Sequence, residues 1–246
     1  MKKLPEVNCL LKIWIIVIIV LYPMVVFSTN IHGSTFKTNT YVSGELYEGG
    51  FAIAKNGQLS SILVDETDYS GVKKVAGHLQ SDIKLVTGKE PVIVYDTTNI
   101  KADYVIIIGK SALIIALIER GKIKVDDVQG KWETSLIQVV DHPFPGIGKG
   151  LIIAGSDKRG TIFGMFDLSA QIGVSPWNWW ADVPVEPRSE IYVKPGRYNL
   201  GEPKVKYRGI FINDEEPALG NVVLYVLPNH DMFRILHPCL EPNDPV

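Results

Sequence analysis

Residues 61–108 decide the fold, and they read SILVDETDYSGVKKVAGHLQSDIKLVTGKEPVIVYDTTNIKADYVIII. Within this stretch, residues 61–64, 91–95 and 104–108 are short apolar runs rich in β-branched residues, which predict buried strands. Between the first two runs, apolar residues recur at i, i+3, i+4 and i+7, which predicts a helix with one apolar face. These residues are Val72, Val75, Ala76, Leu79, Ile83 and Val86. Gly88 follows where a glycine commonly ends a helix.

The same alternation of strands and helices continues along the chain. A second helix is predicted to run to Arg120, and residues 161–173 predict a third. Residues 136–140 and 151–154 predict strands between those helices. Continuous apolar strands between amphipathic helices favour an α/β layer domain, in which helices cover at least one face of a mixed sheet. We place this domain at residues 35–195.

The bulk composition narrows the classes of function. The chain has 246 residues, of which 46% are apolar and 21% charged, so a packed core is expected. A net charge of −2 offers no basic field for a phosphate backbone, which argues against nucleic acid as a partner. Cys9 and Cys239 lie in the leader and the tail, and the five histidines are scattered. We therefore expect no metal site and no disulfide framework.

The N-terminus has the pattern of an export signal. Lys2 and Lys3 are followed by the uncharged run IWIIVIIVLYPMVVF at residues 13–27, which has the length of a signal-peptide core. The run is shorter than the ~20 residues that span a bilayer, and Pro23 interrupts it. Residues 1–30 therefore predict a signal peptide, or an anchor that contacts the membrane if it is retained. The protein is expected to be periplasmic, at the cell surface or extracellular.

A change of composition near residue 184 predicts the end of the α/β domain. Proline and glycine recur among polar residues from there on, and we place a linker at residues 196–204. Residues 205–212, VKYRGIFI, then predict a fresh strand, which would begin a second domain at residues 205–246. After Gly220 the sequence lacks the pattern of a domain, because some twenty residues cannot build a second core.

An acidic cluster follows the strand predicted at residues 205–212. It consists of Asp214, Glu215 and Glu216, with Asn213 beside it. Catalytic and ligand-binding groups collect at the carboxyl ends of strands in barrels and open α/β sheets, and carboxylates and amides suit sugar hydroxyls. Glycoside hydrolysis needs two carboxyl groups on opposite sides of a sugar, which neighbours along one chain rarely provide. The alternative is a solvated acidic turn that caps a following helix.

A tryptophan cluster is the second candidate. Residues 175–182 read SPWNWWAD and hold Trp177, Trp179 and Trp180. Flat aromatic faces stack on the C–H faces of sugars, so the cluster suits a carbohydrate site. The alternative is a plug in an interface between domains, because tryptophan is mostly buried and dominates interface energetics. One residue could do each.

The third candidate is a turn between a strand and a helix. Residues 155–161, GSDKRGT, place free N–H groups and two basic side chains at a helix N-terminus, where an anion can bind. Neither this segment nor residues 109–111, GKS, has the spacing of a nucleotide-binding loop. The ordinary interpretation is that Asp157 or Ser156 caps the helix.

Two long motifs resemble glycoside hydrolase family 115. They are residues 154–184, AGSDKRGTIFGMFDLSAQIGVSPWNWWADVP, and residues 205–219, VKYRGIFINDEEPAL. Shorter matches precede them at residues 107–111 and at residues 130–133, GKWE, so the resemblance covers about residues 61–219.

The resemblance implies a cofactor-free α-glucuronidase that removes α-1,2-linked glucuronic acid, or its 4-O-methyl ether, from glucuronoxylan with inversion. It also implies an α/β domain like the second domain of hexosaminidase-type enzymes, followed by a (β/α)8 barrel whose first strand would be residues 205–212. Asn213, Asp214 and Glu215 would then line the sugar pocket, and Trp179 or Trp180 would shape its rim. The catalytic acid and base are expected on later strands, so they stay unassigned.

The resemblance fades after Leu219. Because a barrel closes only with all its strands, we expect a truncated chain that is inactive by itself. Two alternatives remain open. One is another hexosaminidase-like carbohydrate hydrolase with the same accessory domain, and the other is a non-catalytic carbohydrate-binding or interaction module.

Overall fold

The computed structural model of the chain describes residues 40–97, 100–178 and 183–208. The described residues from Tyr41 onward belong to one compact unit. Its strands are β1 (Val42–Ser43), β2 (Phe51–Lys55), β3 (Gln58–Leu59), β4 (Ser61–Val64), β5 (Ile93–Val94), β6 (Ala102–Gly109), β7 (Ser135–Asp141), β8 (Ile147–Gly155), β9 (Ile191–Val193) and β10 (Arg197–Asn199). Its helices are α1 (Ser70–Thr87), α2 (Ala112–Glu119) and α3 (Lys158–Ile172).

The larger sheet has six strands in the order β10-β7-β8-β6-β4-β5. Strands β5, β4, β6 and β8 run parallel, whereas β7 is antiparallel to β8 and β10 is antiparallel to β7. Residues 61–64 pair in register with residues 105–108 of β6. The prediction of a mixed sheet with covering helices is therefore confirmed for the α/β domain.

Side chains of the central strands alternate between two hydrophobic cores. Ile106 and Ile108 belong to the core formed with α1, α3 and the second sheet, whereas Val105 and Ile107 belong to the core formed with α2. All four side chains are fully buried. Covering both faces explains why these strands appear in the sequence as unbroken apolar runs.

The helices begin and end close to the predicted residues. The helix α1 ends at Gly88, whose φ of +73° is left-handed and whose N–H donates to the carbonyl oxygen of Lys84 at 2.8 Å. Helix α3 begins three residues earlier than predicted, at Lys158, because the carboxylate of Asp157 accepts a hydrogen bond from the N–H of Gly160 at 2.7 Å.

A second, antiparallel sheet in the order β1-β9-β2-β3 was not predicted. Strand β10, at residues 197–199, also lies within the predicted linker, where it pairs with residues 136–138 of β7. The ring of Tyr198 stacks on that of Tyr41 with centroids 4.6 Å apart, so this segment packs on the domain. Pro195 and Gly196 form the turn between β9 and β10, which accounts for the composition that resembled a linker.

The predicted barrel strand is only partly covered by the structure. Residues 205–208 are described and form no strand, and residues 209–212 lie outside the described residues. The barrel therefore stays a prediction, as does the leader, since residues 1–39 also lie outside the described ranges. Within the described ranges, no helix has the length and apolar character needed to cross a bilayer.

Candidate functional site

The candidate site lies where the parallel strands end. The carboxyl ends of β4, β6 and β8 meet at one edge of the larger sheet, which we call the carboxyl edge. It is formed by residues 65–69, 109–111 and 155–159. Because β7 runs antiparallel, residues 132–134 enter the sheet at this same edge. This is the edge at which α/β sheets bind ligands.

Glu133 is the most deeply buried charge at the carboxyl edge. Its side chain is 3% exposed, and its Oε1 lies 2.8 Å from Nε of Arg159, while its Oε2 pairs with Nη2 of Arg208. The backbone of Glu133 is left-handed, with φ of +50°, and its N–H donates to Oδ2 of Asp157 at 2.8 Å. Two guanidinium groups therefore hold the carboxylate of Glu133, and Asp157, which caps α3, holds its backbone.

Aromatic rings enclose the two arginines. The guanidinium carbon of Arg208 lies 5.5 Å from the ring centroid of Trp132 and 5.8 Å from that of Phe163. The guanidinium carbon of Arg159 lies 5.9 Å from the same Phe163 ring. These distances are typical of cation–π contacts, which add to the ion pairs. We call Trp132, Glu133, Arg159, Phe163 and Arg208 the Glu133 cluster.

A second buried carboxylate joins the neighbouring loops. Asp68 accepts hydrogen bonds from the N–H of Tyr69 at 2.8 Å and from the N–H of Lys110 at 2.9 Å. Gly109, with φ of +146°, allows this approach, since a Cβ there would collide with the Asp68 carboxylate. The ammonium of Lys110 in turn donates to the carbonyl oxygen of Ser156. The loops after β4, β6 and β8 are thus tied together.

Asp65, the first residue after β4, is also hydrogen-bonded. Burial acts to raise the pKa of Asp65, but hydrogen bonds from Thr67, from the Ser111 side chain and from the Leu113 backbone together outweigh it and hold the pKa below its ordinary value. The Thr67 N–H and hydroxyl lie 2.8 and 2.7 Å from Oδ1. Asp65 is therefore ionised at neutral pH.

The strand–turn–helix at residues 155–161 is a capped helix, as its ordinary interpretation predicted. The two carboxylate oxygens of Asp157 accept the N–H groups of Gly160 and Glu133, so a carboxylate of the chain itself occupies the helix N-terminus. The alternative of a bound anion gains no support from this geometry.

The residues predicted to contact sugar lie outside the described residues. They are Trp179, Trp180, Asn213, Asp214 and Glu215. Of the tryptophan cluster, Trp177 is described and is 56% exposed, in a turn where its N–H donates to Oγ of Ser175 at 3.1 Å. The choice between sugar contact and interface packing for the cluster stays a prediction.

Sequence reasoning missed the Glu133 cluster. Its charged members lie in three separate motifs of the resemblance, namely GKWE, SDKRG and KYRG. Glu133 and Arg208 are 75 positions apart, so no local spacing reveals that they meet. The signal in the sequence was that each of these motifs carries one of the three charged residues that meet in the structure, Glu133, Arg159 and Arg208.

A cleft among the described residues lies at the opposite edge of the sheet. It has a volume of about 730 Å³ and lies at the amino ends of β4, β6 and β8. We call it the amino-edge cleft; its lining includes Lys55, Asn56, Lys101, Asp103 and Tyr104. In the part of the chain that the structure describes, no group of three or more histidine, cysteine, aspartate or glutamate side chains could hold a metal ion.

Comparison with known proteins finds a likeness among solved structures. No protein-family model matches the sequence, and no curated protein matches it. Among solved structures, the chain is similar to a family GH115 4-O-methyl-α-glucuronidase with specificity for decorated arabinogalactans. The TM-score is 0.57 and the identity 27%, over 75% of this chain and 24% of that glucuronidase. The chain thus has a GH115-like fold and spans about a quarter of that enzyme's length.

Proposed function

We propose that this chain is part of an exported family 115 α-glucuronidase that releases glucuronic acid, or its 4-O-methyl ether, from plant polysaccharides. The observation that carries the proposal is the 27% identity to a GH115 glucuronidase across 75% of this chain. Sequence identity together with a shared fold supports a hydrolase-like chain more strongly than a shared fold alone would.

The substrate class follows from the same likeness. The solved relative is specific for decorated arabinogalactans, whereas the family that the sequence motifs resemble implies glucuronoxylan. Both substrates carry glucuronic acid as a side group, so the proposal is release of that acid from one of them. Inversion at the anomeric carbon is part of the proposal and is checked by the anomer that is first released.

The described residues act as an accessory domain in this proposal. Glu133 is paired with two arginines, Asp157 caps a helix, and Asp68 accepts two backbone N–H groups. A catalytic carboxyl group must reach the glycosidic bond or the attacking water. Both carboxylate oxygens of Glu133 are instead paired with arginines, and its side chain is 3% exposed. The catalytic pair is therefore assigned to parts of the enzyme outside the described ranges, and the 246-residue chain alone is proposed to be inactive.

The test compares the purified 246-residue chain with the longest polypeptide that the gene encodes. Each is incubated with glucuronoxylan, with a glucuronate-decorated arabinogalactan and with an N-acetylhexosamine oligomer, and the released sugars are separated by anion-exchange chromatography. We expect the longer product to release glucuronic acid and the 246-residue chain to release none. Release of N-acetylhexosamine would favour the hexosaminidase-like alternative, and hydrolysis by the short chain would contradict the accessory role.

A binding module is the second candidate, and the exposed ring of Trp177 is the observation that favours it. In that case the 246-residue chain would be retained by insoluble xylan without hydrolysing it. Trp177→Ala would abolish retention, while Tyr95→Ala, which removes another half-exposed ring, would leave it unchanged. Equal loss in both variants would indicate non-specific adsorption.

Export is proposed from the leader. Sequencing the N-terminus of the protein recovered from the culture medium, periplasm and membrane fractions tests it. We expect a new N-terminus close to residue 30 if the leader is cleaved, and intact protein in the membrane fraction if it is retained. Full-length protein in the cytoplasm would contradict export.

A further inference from the structure

The Glu133 carboxylate is an unusual group to bury. Its side chain is 3% exposed, although removing a carboxylate from water costs several kcal/mol even when it is paired. A well-packed apolar side chain would stabilise such a position equally well. The burial of this carboxylate therefore indicates a role beyond stability, and the partners of Glu133 indicate which role.

One partner of Glu133 belongs to the rigid body of the domain. Arg159 lies in the first turn of α3, which Asp157 caps while also accepting the N–H of Glu133. A Cβ at Gly160 would lie under 3.0 Å from the carbonyl oxygen of Thr134, so the loop before β7 sits directly on α3. This contact and the left-handed backbone of Glu133 fix the carboxylate relative to the sheet.

The other partner belongs to the segment that follows β10. Arg208 is the last described residue, and it lies nine positions beyond the end of β10 at Asn199. Three side chains of this segment contact Trp132 or Glu133. Glu202 accepts the Trp132 N–H at 3.3 Å, and Nζ of Lys206 lies 5.8 Å from the Trp132 ring centroid. Arg208 pairs with Glu133. In contrast, Tyr207 is 86% exposed.

We propose that Glu133 is a positioning residue: by holding Arg208 at the carboxyl edge, it fixes the start of the segment that carries the predicted sugar-binding residues Asn213, Asp214 and Glu215. Asp214 is six positions beyond Arg208, which is at most about 20 Å of extended chain. Holding Arg208 therefore limits how far the predicted sugar-binding side chains can lie from the carboxyl edge. This inference rests on the proposed function, and it adds a residue that the sequence analysis did not select.

The first test uses the 246-residue chain and needs no activity. Trypsin cleaves after Arg208 when that side chain is released, so the rate at which the bond between residues 208 and 209 is cut reports the anchor. Glu133→Gln keeps the size of the side chain and removes its charge. We expect cleavage after Arg208 to accelerate about 10-fold, because a charged hydrogen bond is replaced by a neutral one.

The controls separate anchoring from general destabilisation. Glu90→Gln removes the same charge from an ion pair with Lys84 whose side chains are 50% and 57% exposed, and it should change the rate less than about twofold. Ile172→Val lowers stability through the core of α3 without touching the cluster and should also leave the rate unchanged. Unchanged cleavage in folded Glu133→Gln would overturn the proposal.

The second test uses the longest polypeptide that the gene encodes, once its glucuronidase activity is established. We expect Glu133→Gln to lower kcat about 10-fold with a smaller change in KM, and Glu133→Asp, which keeps the charge, to recover part of the loss. Faster cleavage with unchanged kcat would show that Glu133 holds Arg208 without positioning the site, which overturns the inference. If no product of the gene releases glucuronic acid, the proposed function fails, while the trypsin test still reports on the anchor.

Discussion

The two edges of the six-stranded sheet differ in whether their charged side chains are buried or exposed. At the carboxyl edge, Glu133 and Asp68 are buried and each has two partners. At the amino edge, the cleft of about 730 Å³ is lined by exposed side chains such as Lys101 and Asp103. A buried charge is retained only where partners compensate its lost hydration. Buried, paired charge is therefore a better indicator of a built site here than the volume of a cleft.

Close packing does not distinguish the two edges. At the carboxyl edge, a Cβ at Gly155 or Gly160 would lie under 3.0 Å from backbone atoms. At the amino edge, a Cβ at Gly146 would collide with the carbonyl oxygen of Ile100. Both edges therefore require glycine at close approaches. The difference between the edges lies in electrostatics, and the following variants test it from the largest expected effect to the smallest.

Gly160→Ala should have the largest effect on stability. The added Cβ would press on the backbone of Thr134, which is held by hydrogen bonds and cannot move as a side chain can. We expect a loss of about 3 kcal/mol in the free energy of unfolding, measured by urea denaturation. Gly77→Ala on α1, where a Cβ meets nothing within 4 Å, should instead gain up to about 1 kcal/mol. A neutral Gly160→Ala would show that the loop before β7 can move away from α3.

Glu133→Ala should have the next largest effect on stability. Removing the carboxylate leaves two arginines facing each other, which typically costs roughly 3–5 kcal/mol for a fully buried pair. The side chains of Arg159 and Arg208 are 46% and 36% exposed, so water can solvate them and we expect about 2 kcal/mol. Glu90→Ala should cost less than about 0.5 kcal/mol. Equal effects of the two variants in urea denaturation would remove the distinction between buried and exposed charge.

The sequence was sufficient to predict five of the six strands of the larger sheet, all but β10, but not the smaller sheet. Strand β6 is covered on both faces, so Val105 to Ile108 form an unbroken apolar run that is easily recognised. Strand β2, FAIAK, contains two alanines and is short. Its signal was Asn56-Gly57, since both residues have positive φ, of 51° and 73°, in a two-residue hairpin turn between β2 and β3.

The site was predictable only where it depends on local chemistry. The cap at Asp157 follows from residue type and its place before a helix. Glu133 could not be selected, because its left-handed backbone is typical of glycine or asparagine and its arginines come from distant segments. Tertiary contacts of this kind leave no periodic pattern in a sequence.

Thr67→Val tests the carboxyl edge through pH. The pKa of Asp65 is below its ordinary value, so its hydrogen bonds stabilise the folded state above pH ~3.9 and stop doing so as pH falls through the lowered pKa. Replacing the Thr67 hydroxyl should cost about 0.5 kcal/mol at pH 7 and less at pH 2. Thr67→Ser keeps the hydroxyl and should match the wild type at both pH values. A pH-independent loss in Thr67→Val would mean that packing, not ionisation, accounts for the effect.

Lys101→Ala at the amino-edge cleft should have the smallest effect. Its side chain is exposed, so its charge is already hydrated and its removal should change the free energy of unfolding by less than about 0.5 kcal/mol. Trypsin cleavage after Arg208 should also keep its wild-type rate, because Lys101 lies at the opposite edge of the sheet from the Glu133 cluster. If Lys101→Ala instead lowered uronic acid release by the longest product of the gene, the amino-edge cleft would take part in function. Exposed charge would then indicate a functional site on this fold as well as buried charge does, and the contrast between the two edges would not separate functional from non-functional charge.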